Sequence, residues 1–322
     1  MAEAPIQAMA DAITQAHAAA FADFPPQPAP APAQGGSVYR AALQACSALG
    51  FIAVDADCLA RAWQGRTDRT GAFDPVQWPD APEDFGLQAR SHAQPFPPCP
   101  TDLGLYAVLP DADWVGRMAR AGVPTVQLRF KSGDAAAIRR EVAAAARAVR
   151  GTGALLFIND HWQEALDAGA YGVHLGQEDL DALAPGALQA LRGAGVRLGV
   201  STHGYAEMVR ADAASPSYVA MGAVFPTTLK KMATVPQGLA RLTGYARLMR
   251  GYPQVAIGGI GAEQFSAVLA TGVGSIAVVR ALVNAPDPEA AARDLMQRMA
   301  LRPAQPGAPM AAAATAGGSA GR

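Results

Sequence analysis

Eight short apolar runs, each followed by a stretch with helical or loop character, pace the middle of the chain, and this alternation restricts the fold more than any other feature. The runs are Gly104–Leu109, Thr125–Phe130, Ala154–Ile158, Gly172–Leu175, Arg197–Val200, Tyr218–Met221, Gln254–Ile257 and Gly274–Val279. Helical spacing between them is clearest over Asp113–Ala121, Ala135–Arg150, Trp162–Ala168, Glu207–Ala213 and Glu263–Ala270. Near-continuous Val/Ile/Leu runs separated by helices are the pattern of a parallel sheet covered on both faces. Eight such units predict an α/β protein with a (β/α)8 TIM barrel, a fold that typically takes ~250 residues and can be built from ~200. A doubly wound open sheet is the alternative, but no G-x-G-x-x-G follows the first run.

Two flanking zones differ in kind. Within residues 1–100, the Ala-rich stretch 5–22 places Ile6, Met9, Ile13 and Phe21 at roughly helical spacing, and "VYRAALQACSALGF" and "DADCLARAWQ" read as two further short helices, the second with Asp55 as its N-cap signal. The segments "PPQPAPAPAQGG" and "HAQPFPPCP" read as Pro-rich links without regular structure. The expected organisation is an N-terminal helical, Pro-rich extension over 1–100, a barrel over 101–302 and a low-complexity, disordered C-terminal tail over 303–322. No chemistry is legible in the extension, so its removal is expected to leave the barrel soluble and active.

Composition excludes several function classes. Hydrophobic residues make up 51% of the 322, enough for a sizeable core, and a net charge of −1 at pH 7 offers no nucleic-acid surface. No apolar run reaches the ~18 residues that span a bilayer. Glu3 and Asp11 precede the first Lys or Arg, Arg40, which argues against a secretory or transit peptide. Cys46, Cys58 and Cys99 are an odd number without metal-ligand spacing. The expectation is a soluble protein of a reducing cytoplasm, with no nucleic-acid or membrane partner. A homo-oligomer is compatible with the sequence.

In a barrel of this type the chemistry sits at the C-terminal ends of the strands. After the second run, alternation along "VQLRFK" sends Gln127, Arg129 and Lys131 to one face, where two cations and an amide can grip a polyphosphate. Buried ion pairs within a barrel layer are the structural alternative for these cations. The third and fourth runs end in Asn159-Asp160-His161 and Gln177-Glu178-Asp179, although only 16% of the chain is charged. Neighbouring strands lie ~4.8 Å apart, so Asp160 and Asp179 can converge at the rim. Two carboxylates without Cys or His ligands suit Mg²⁺, which binds through one or two carboxylates plus substrate phosphates. Taken singly, Asp160 could instead cap the helix that follows. His174 reads as a satisfied inner-layer histidine.

Ser201, Thr202 and His203 follow the fifth run and can either meet a phosphate or cap the next helix, the capping reading being preferred for Thr202 and His203. Thr227, Thr228, Lys230 and Lys231 lie on the loop after the sixth run, where they suit an anion-binding lid or stand as solvated loop residues. Gly258-Gly259 and the Val279-Arg280 peptide close the seventh and eighth units, a place where barrels frequently bind phosphate. Two anion sites flanking one metal point to an enzyme that joins or splits two phosphorylated small molecules.

In order, "VQLRFK", "FINDHW", "GVHLGQEDL", "LGVSTH", "GAVFPTTLKK", "VAIGGI" and "GVGSIAVVRAL" closely resemble the motifs of the thiamine phosphate synthase family over residues 103–300. The resemblance implies a transferase that joins 4-amino-5-hydroxymethyl-2-methylpyrimidine diphosphate to 4-methyl-5-(2-phosphooxyethyl)thiazole, or its carboxylated form, with release of pyrophosphate. It implies that Gln127, Arg129, Lys131 and Asn159 hold the pyrimidine diphosphate, that Asp160 and Asp179 bind Mg²⁺, and that Ser201 lies near the pyrimidine. It also implies that Lys230 contacts the pyrophosphate, and that Thr227, Gly259, Val279 and Arg280 form the thiazole phosphate pocket. Diphosphate departure followed by attack of the thiazole nitrogen needs no protein nucleophile. Three positions depart from the family pattern: Leu229 where a second threonine is usual, its hydroxyl contact being either lost or supplied by Thr228, His161 after Asn-Asp, and Arg280 where a serine is common. A thiazole tautomerase on the same fold and a non-catalytic thiazole phosphate-binding regulator are the rival readings.

Overall fold

The computed structural model describes residues 3–31, 35–87, 92–227 and 234–301. Three helices come first: α1 (Glu3–His17), α2 (Ser37–Ala48) and α3 (Ala53–Thr70). The barrel then opens with β1 (Leu105–Leu109), α4 (Ala112–Arg120), β2 (Thr125–Leu128), α5 (Ala135–Ala148) and β3 (Leu155–Asn159). It continues through α6 (Trp162–Asp167), β4 (Gly172–Leu175), α7 (Gln177–Asp181), α8 (Ala187–Gly193) and β5 (Arg197–Thr202). After α9 (Tyr205–Ala214), β6 (Tyr218–Met221), α10 (Gly238–Leu248), β7 (Gln254–Ile257) and α11 (Phe265–Ala270), it ends with β8 (Ser275–Val278), α12 (Arg280–Val283) and α13 (Pro288–Ala300). All eight strands are parallel, in sequence order, and β1 pairs with β8 to close the barrel. The predicted TIM barrel is therefore the fold. No helix among the described residues is long and apolar enough to cross a membrane.

Alternation along each strand divides the core in two. Leu105, Ala107, Val126, Leu128, Ile158, Val173, Val200 and Val219 face outward and pack under the helices. Tyr106, Val108, Phe157, Tyr218, Ala220, Val255 and Ala277 face inward and fill the barrel. The ring of Tyr218 stands 5.1 Å from that of Phe157 and 5.9 Å from that of Tyr106. Inward-facing glycines make room for them. A Cβ at Gly199 would lie 2.1 Å from Tyr218 Cζ, and one at Gly172 would lie 2.3 Å from Phe157 Cε1.

The extension is packed on the barrel rather than tethered to it. Ile6, Ile13, Leu43, Phe51, Leu59 and Trp63 belong to the same buried cluster as Met208 of α9 and Leu242 and Tyr245 of α10. Tyr205 stacks on Phe85 at 5.4 Å, meets Tyr245 edge-on at 4.9 Å, and accepts a hydrogen bond from Trp78 Nε1 at 3.0 Å. Even the Pro-rich link "HAQPFPPCP" is fastened to the barrel, because Phe96 N donates to Ser215 O at 3.1 Å and Ser217 Oγ donates to Pro97 O at 2.6 Å. Leu103 plugs the N-terminal end of the barrel, its N–H bonded to Ser275 Oγ and its carbonyl to Thr125 Oγ1. A barrel indifferent to residues 1–100 does not fit this shared core. The tail expected over 303–322 lies outside the described residues.

Candidate active site

A cavity of about 810 Å³ opens where the strands end at their C-terminal side. Gln127, Arg129, Lys131, Asn159, Asp160, Asp179, Ser201, Thr227, Gly259, Val279 and Arg280 all line it. Thr228 and Lys230, with Leu229 and Lys231, fall outside the described residues. β2 ends at Leu128, two residues earlier than its apolar run suggests, so Arg129 and Lys131 stand just beyond the sheet, with Arg129 N still bonded to Leu109 O at 2.8 Å.

One corner of the cavity gathers the acids and a cation. Lys131 Nζ lies 2.5 Å from Asp160 Oδ2, and the Asp160 and Asp179 carboxyl groups are within hydrogen-bonding reach of each other. Asp179 also accepts from Gly176 N at 2.9 Å. Asp160 does not cap α6: that position is His161, and the Asp160 carboxyl turns to Lys131 instead. Its backbone is left-handed, with φ 65°, a conformation that non-glycine residues hold at a cost and mostly at functional sites. Burial raises the Asp160 carboxyl, but the Lys131 ammonium outweighs it and holds the group below the ordinary carboxylate range. Burial, and then the charge of Asp160, pushes Asp179 the other way. Two oxygen-donor side chains with opposed titration, crowded around one point, are a site that a hard cation would relieve.

The opposite corner is built from backbone. Gly258 and Gly259 take φ 104° and 68°. A Cβ would lie 2.5 Å from Ala223 Cβ at the first and 2.6 Å from Pro226 O at the second, so only glycine lets the β6 and β7 ends close on each other. The short α12 starts at Arg280 on the same rim, with Val279 at its N-cap.

A continuous hydrogen-bonded chain runs beneath the cavity. Asn159 Oδ1 accepts from Gln127 Nε2 at 2.8 Å, and Gln127 Oε1 accepts from Tyr106 OH at 2.8 Å. Tyr106 OH meets Tyr218 OH at 2.7 Å, Tyr218 OH meets His174 Nδ1 at 2.7 Å, and His174 Nε2 meets Ser201 Oγ at 2.8 Å. Burial raises both phenols, so each keeps its proton. The Tyr106 proton is committed to Gln127, so Tyr218 must donate to Tyr106 and His174 Nδ1–H to Tyr218, and with the imidazole neutral Ser201 O–H donates to His174 Nε2. Ser201 thereby turns lone pairs to the cavity, and Asn159 turns its NH₂. His174 is bonded at both ring nitrogens, as its inner-layer position suggested, while the sequence reading passed over Tyr106 and Tyr218. Their signal was an inward-facing hydroxyl on strands that are otherwise apolar inside. Nitrogen-15 NMR of the imidazole should show His174 protonated at Nδ1 and bare at Nε2, and Tyr218→Phe should abolish that preference. A proton on Nε2 in the unmodified protein would reverse the chain.

Thr202 and His203 do not cap α9 either. Thr202 Oγ1 donates to Ala220 O at 3.0 Å, and His203 Nδ1 pairs with Glu207 at 2.7 Å, leaving Gly204 at the N-cap.

A family model described as thiamine monophosphate synthase matches residues 105–282. A thiamine-phosphate synthase from Neisseria meningitidis serogroup B is 55% identical over 195 residues, which are 61% of this chain and 94% of that protein. One from Serratia proteamaculans is 49% identical over 203 residues, 63% of this chain and 94% of its own length. Among solved structures, a thiamine phosphate pyrophosphorylase from Pyrococcus furiosus matches with a TM-score of 0.54 and 28% identity, covering 62% of this chain and 96% of its own. A closed barrel whose rim carries this set of residues, matched by the family model over more than half of the sequence and by relatives over nearly their whole length, makes the chain a member of the thiamine monophosphate synthase family of transferases.

Proposed function

We propose that the chain condenses 4-amino-5-hydroxymethyl-2-methylpyrimidine diphosphate with 4-methyl-5-(2-phosphooxyethyl)thiazole to give thiamine phosphate and pyrophosphate, or with its carboxylated form to give the same products and CO₂, with Mg²⁺ as cofactor. The observation that carries this reading is the placement of an acid–cation corner and a glycine-lined backbone corner on one cavity. The donor set suits the ion: Asp160 and Asp179 bring two carboxylates to one corner of the cavity, and Mg²⁺ binds through one or two carboxylates and completes its shell with substrate phosphates. Asp160 and Asp179 would hold it. When bound, it would supply charge neutralisation to the departing diphosphate.

The chain's own residues do the rest. Arg129 and Lys131 grip the diphosphate with fixed positive charge, and Asn159 offers its NH₂ to a phosphate oxygen. Sequence resemblance supports Lys230 on the same group, and Thr228 as the source of the hydroxyl missing at Leu229. As the CH₂–O bond of the pyrimidine breaks, the bonding pair leaves with pyrophosphate and the electron-rich ring carries the positive charge. Ser201 Oγ accepts from the ring's exocyclic amino group, which orients it. Thr227, Gly259, Val279 and Arg280 hold the thiazole phosphate, so the thiazole nitrogen lies in line to form the new C–N bond. Positioning two bound substrates supplies a large share of the acceleration. Residues 101–302 would carry this activity, in the cytoplasm.

Incubation with both substrates and Mg²⁺ should release pyrophosphate and thiamine phosphate in equal amounts, and EDTA should abolish both. Thiazole phosphate bound without product would favour a regulator, and isomerised thiazole a tautomerase.

A further inference from the structure

α9 begins immediately after the cavity-lining residues Ser201, Thr202 and His203, and it has no cap of its own. Gly204 stands at the N-cap without a side chain, and the carboxylate of Asp55, from α3 of the extension, fills that place. Asp55 Oδ1 accepts from Ala206 N at 2.9 Å, and a Cβ on Gly204 would lie 2.1 Å from Asp55 Oδ2. The first turn thus held is the one that holds His203, because Glu207 accepts from both the His203 backbone N–H at 2.8 Å and its Nδ1 at 2.7 Å.

The extension makes a second contact of the same kind on the next unit. Arg241 of α10 is buried, with its guanidinium 3.6 Å from the Phe24 ring centre and 4.2 Å from that of Phe51. It donates to Gly50 O at 2.9 Å and to Gln237 Oε1 at 3.4 Å. Gln237 N in turn donates to Ala223 O at 2.8 Å, and Ala223 lines the cavity. So the extension reaches the starts of α9 and α10, and through them the two rim segments that follow β5 and β6.

We propose that the N-terminal extension is a positioning element of the active site, in which Asp55 caps α9 and thereby fixes Ser201 and His203, while Gly50, Phe24 and Phe51 fix α10 through Arg241. Asp55 touches no substrate and is a positioning residue. A buried carboxylate is a costly cap: burial raises Asp55 to about 6 despite the Ala206 N–H and the Arg241 cation, and Glu207 adds repulsion. A Ser, Thr or Asn at 204 would cap α9 from within the barrel, but the carboxylate of the extension already occupies that space.

The proposal rests on the synthase reading only for its kinetic arm. In the full chain, hydrogen exchange read by mass spectrometry should show amides of residues 201–208 opening about tenfold faster in Asp55→Ala, a change on the scale of a lost cap. Amides of 274–284 should not change, and Asp55→Asn, whose side-chain oxygen still accepts, should resemble the parent. Should Asp55→Ala not purify as a folded protein, Asp55→Ser, too short to reach Ala206 N, reads the same amides. With substrates, Asp55→Ala should raise KM for the pyrimidine diphosphate about tenfold and leave KM for the thiazole phosphate within about twofold. Faster exchange throughout the barrel, equal change in both KM values, or no change at 201–208 would overturn the positioning role. If the parent protein makes no product, the synthase reading falls and the exchange data alone decide the role of Asp55.

Discussion

Asparagine in place of Asp160 or Asp179 is expected to lower turnover by about a hundredfold to a thousandfold, the scale on which losing one preorganised charge contact to a transition state acts, and to leave the fold intact. The two halves of that expectation have separate causes. Turnover falls because the amide withdraws a negative oxygen donor from the proposed Mg²⁺ site, and the departing diphosphate loses its neutralising charge. The fold survives because neither carboxylate carries much stability. The Lys131–Asp160 pair is partly exposed, with side chains 58% and 22% accessible, and such pairs are worth about 0–1 kcal/mol. Asparagine also accepts the left-handed backbone that Asp160 adopts. At Asp179 the sign favours the variant: a carboxyl raised in the folded state is destabilising when ionised, so above its folded pKa a neutral amide relieves repulsion from Asp160. Steady-state rates beside thermal melting curves check both halves. Near-parental turnover in both variants would remove the metal from these residues.

Removal of residues 1–100 is expected to leave an insoluble or unfolded remainder. The cut would bare Tyr205, 1% exposed and packed on Phe51 and Phe85, and Arg241, 3% exposed and packed on Phe24 and Phe51. Burying a large apolar side chain contributes about 1.5–3 kcal/mol, and a whole domain is stable by only about 5–15 kcal/mol. Those two residues, the α9 cap and the strap through Phe96 and Pro97 together take a large part of that total. Soluble expression and circular dichroism of the 101–302 chain measure it. A soluble fragment with a cooperative melt would show that the barrel stands alone, as the bare sequence suggested.

What was legible in the sequence was whatever depends on near neighbours. The strands announced themselves because β-branched and aliphatic residues run unbroken where both faces are buried, and the acid pair stood out because Asp160 and Asp179 directly follow such runs. α10 was not legible: Gly238, Thr243 and Gly244 argue for a loop, and burial of Leu242, Tyr245 and Leu248 overrides them. Asp287-Pro288 at the start of α13 was a readable cap and first-turn signal that the strand-by-strand reading passed over. Asp55 was legible only as a cap for its own helix; α3 instead begins at Ala53 with Ile52 at its N-cap, and Asp55 serves Ala206, 151 residues away. Separation in sequence also hid the link between Tyr106 and Tyr218, 112 residues apart, although each residue was in plain view.

The place the extension occupies also decides how copies of this chain can associate. α1 to α3 cover the outer wall of the barrel at α9 and α10, and the family model begins only at Leu105. A pairing of two barrels through that wall, open in principle to a relative built of the barrel alone, is closed to this one. Any homodimer it forms must be assembled through a different face, so a quaternary arrangement that uses the α9–α10 wall cannot be carried over to it from the barrel sequence by similarity.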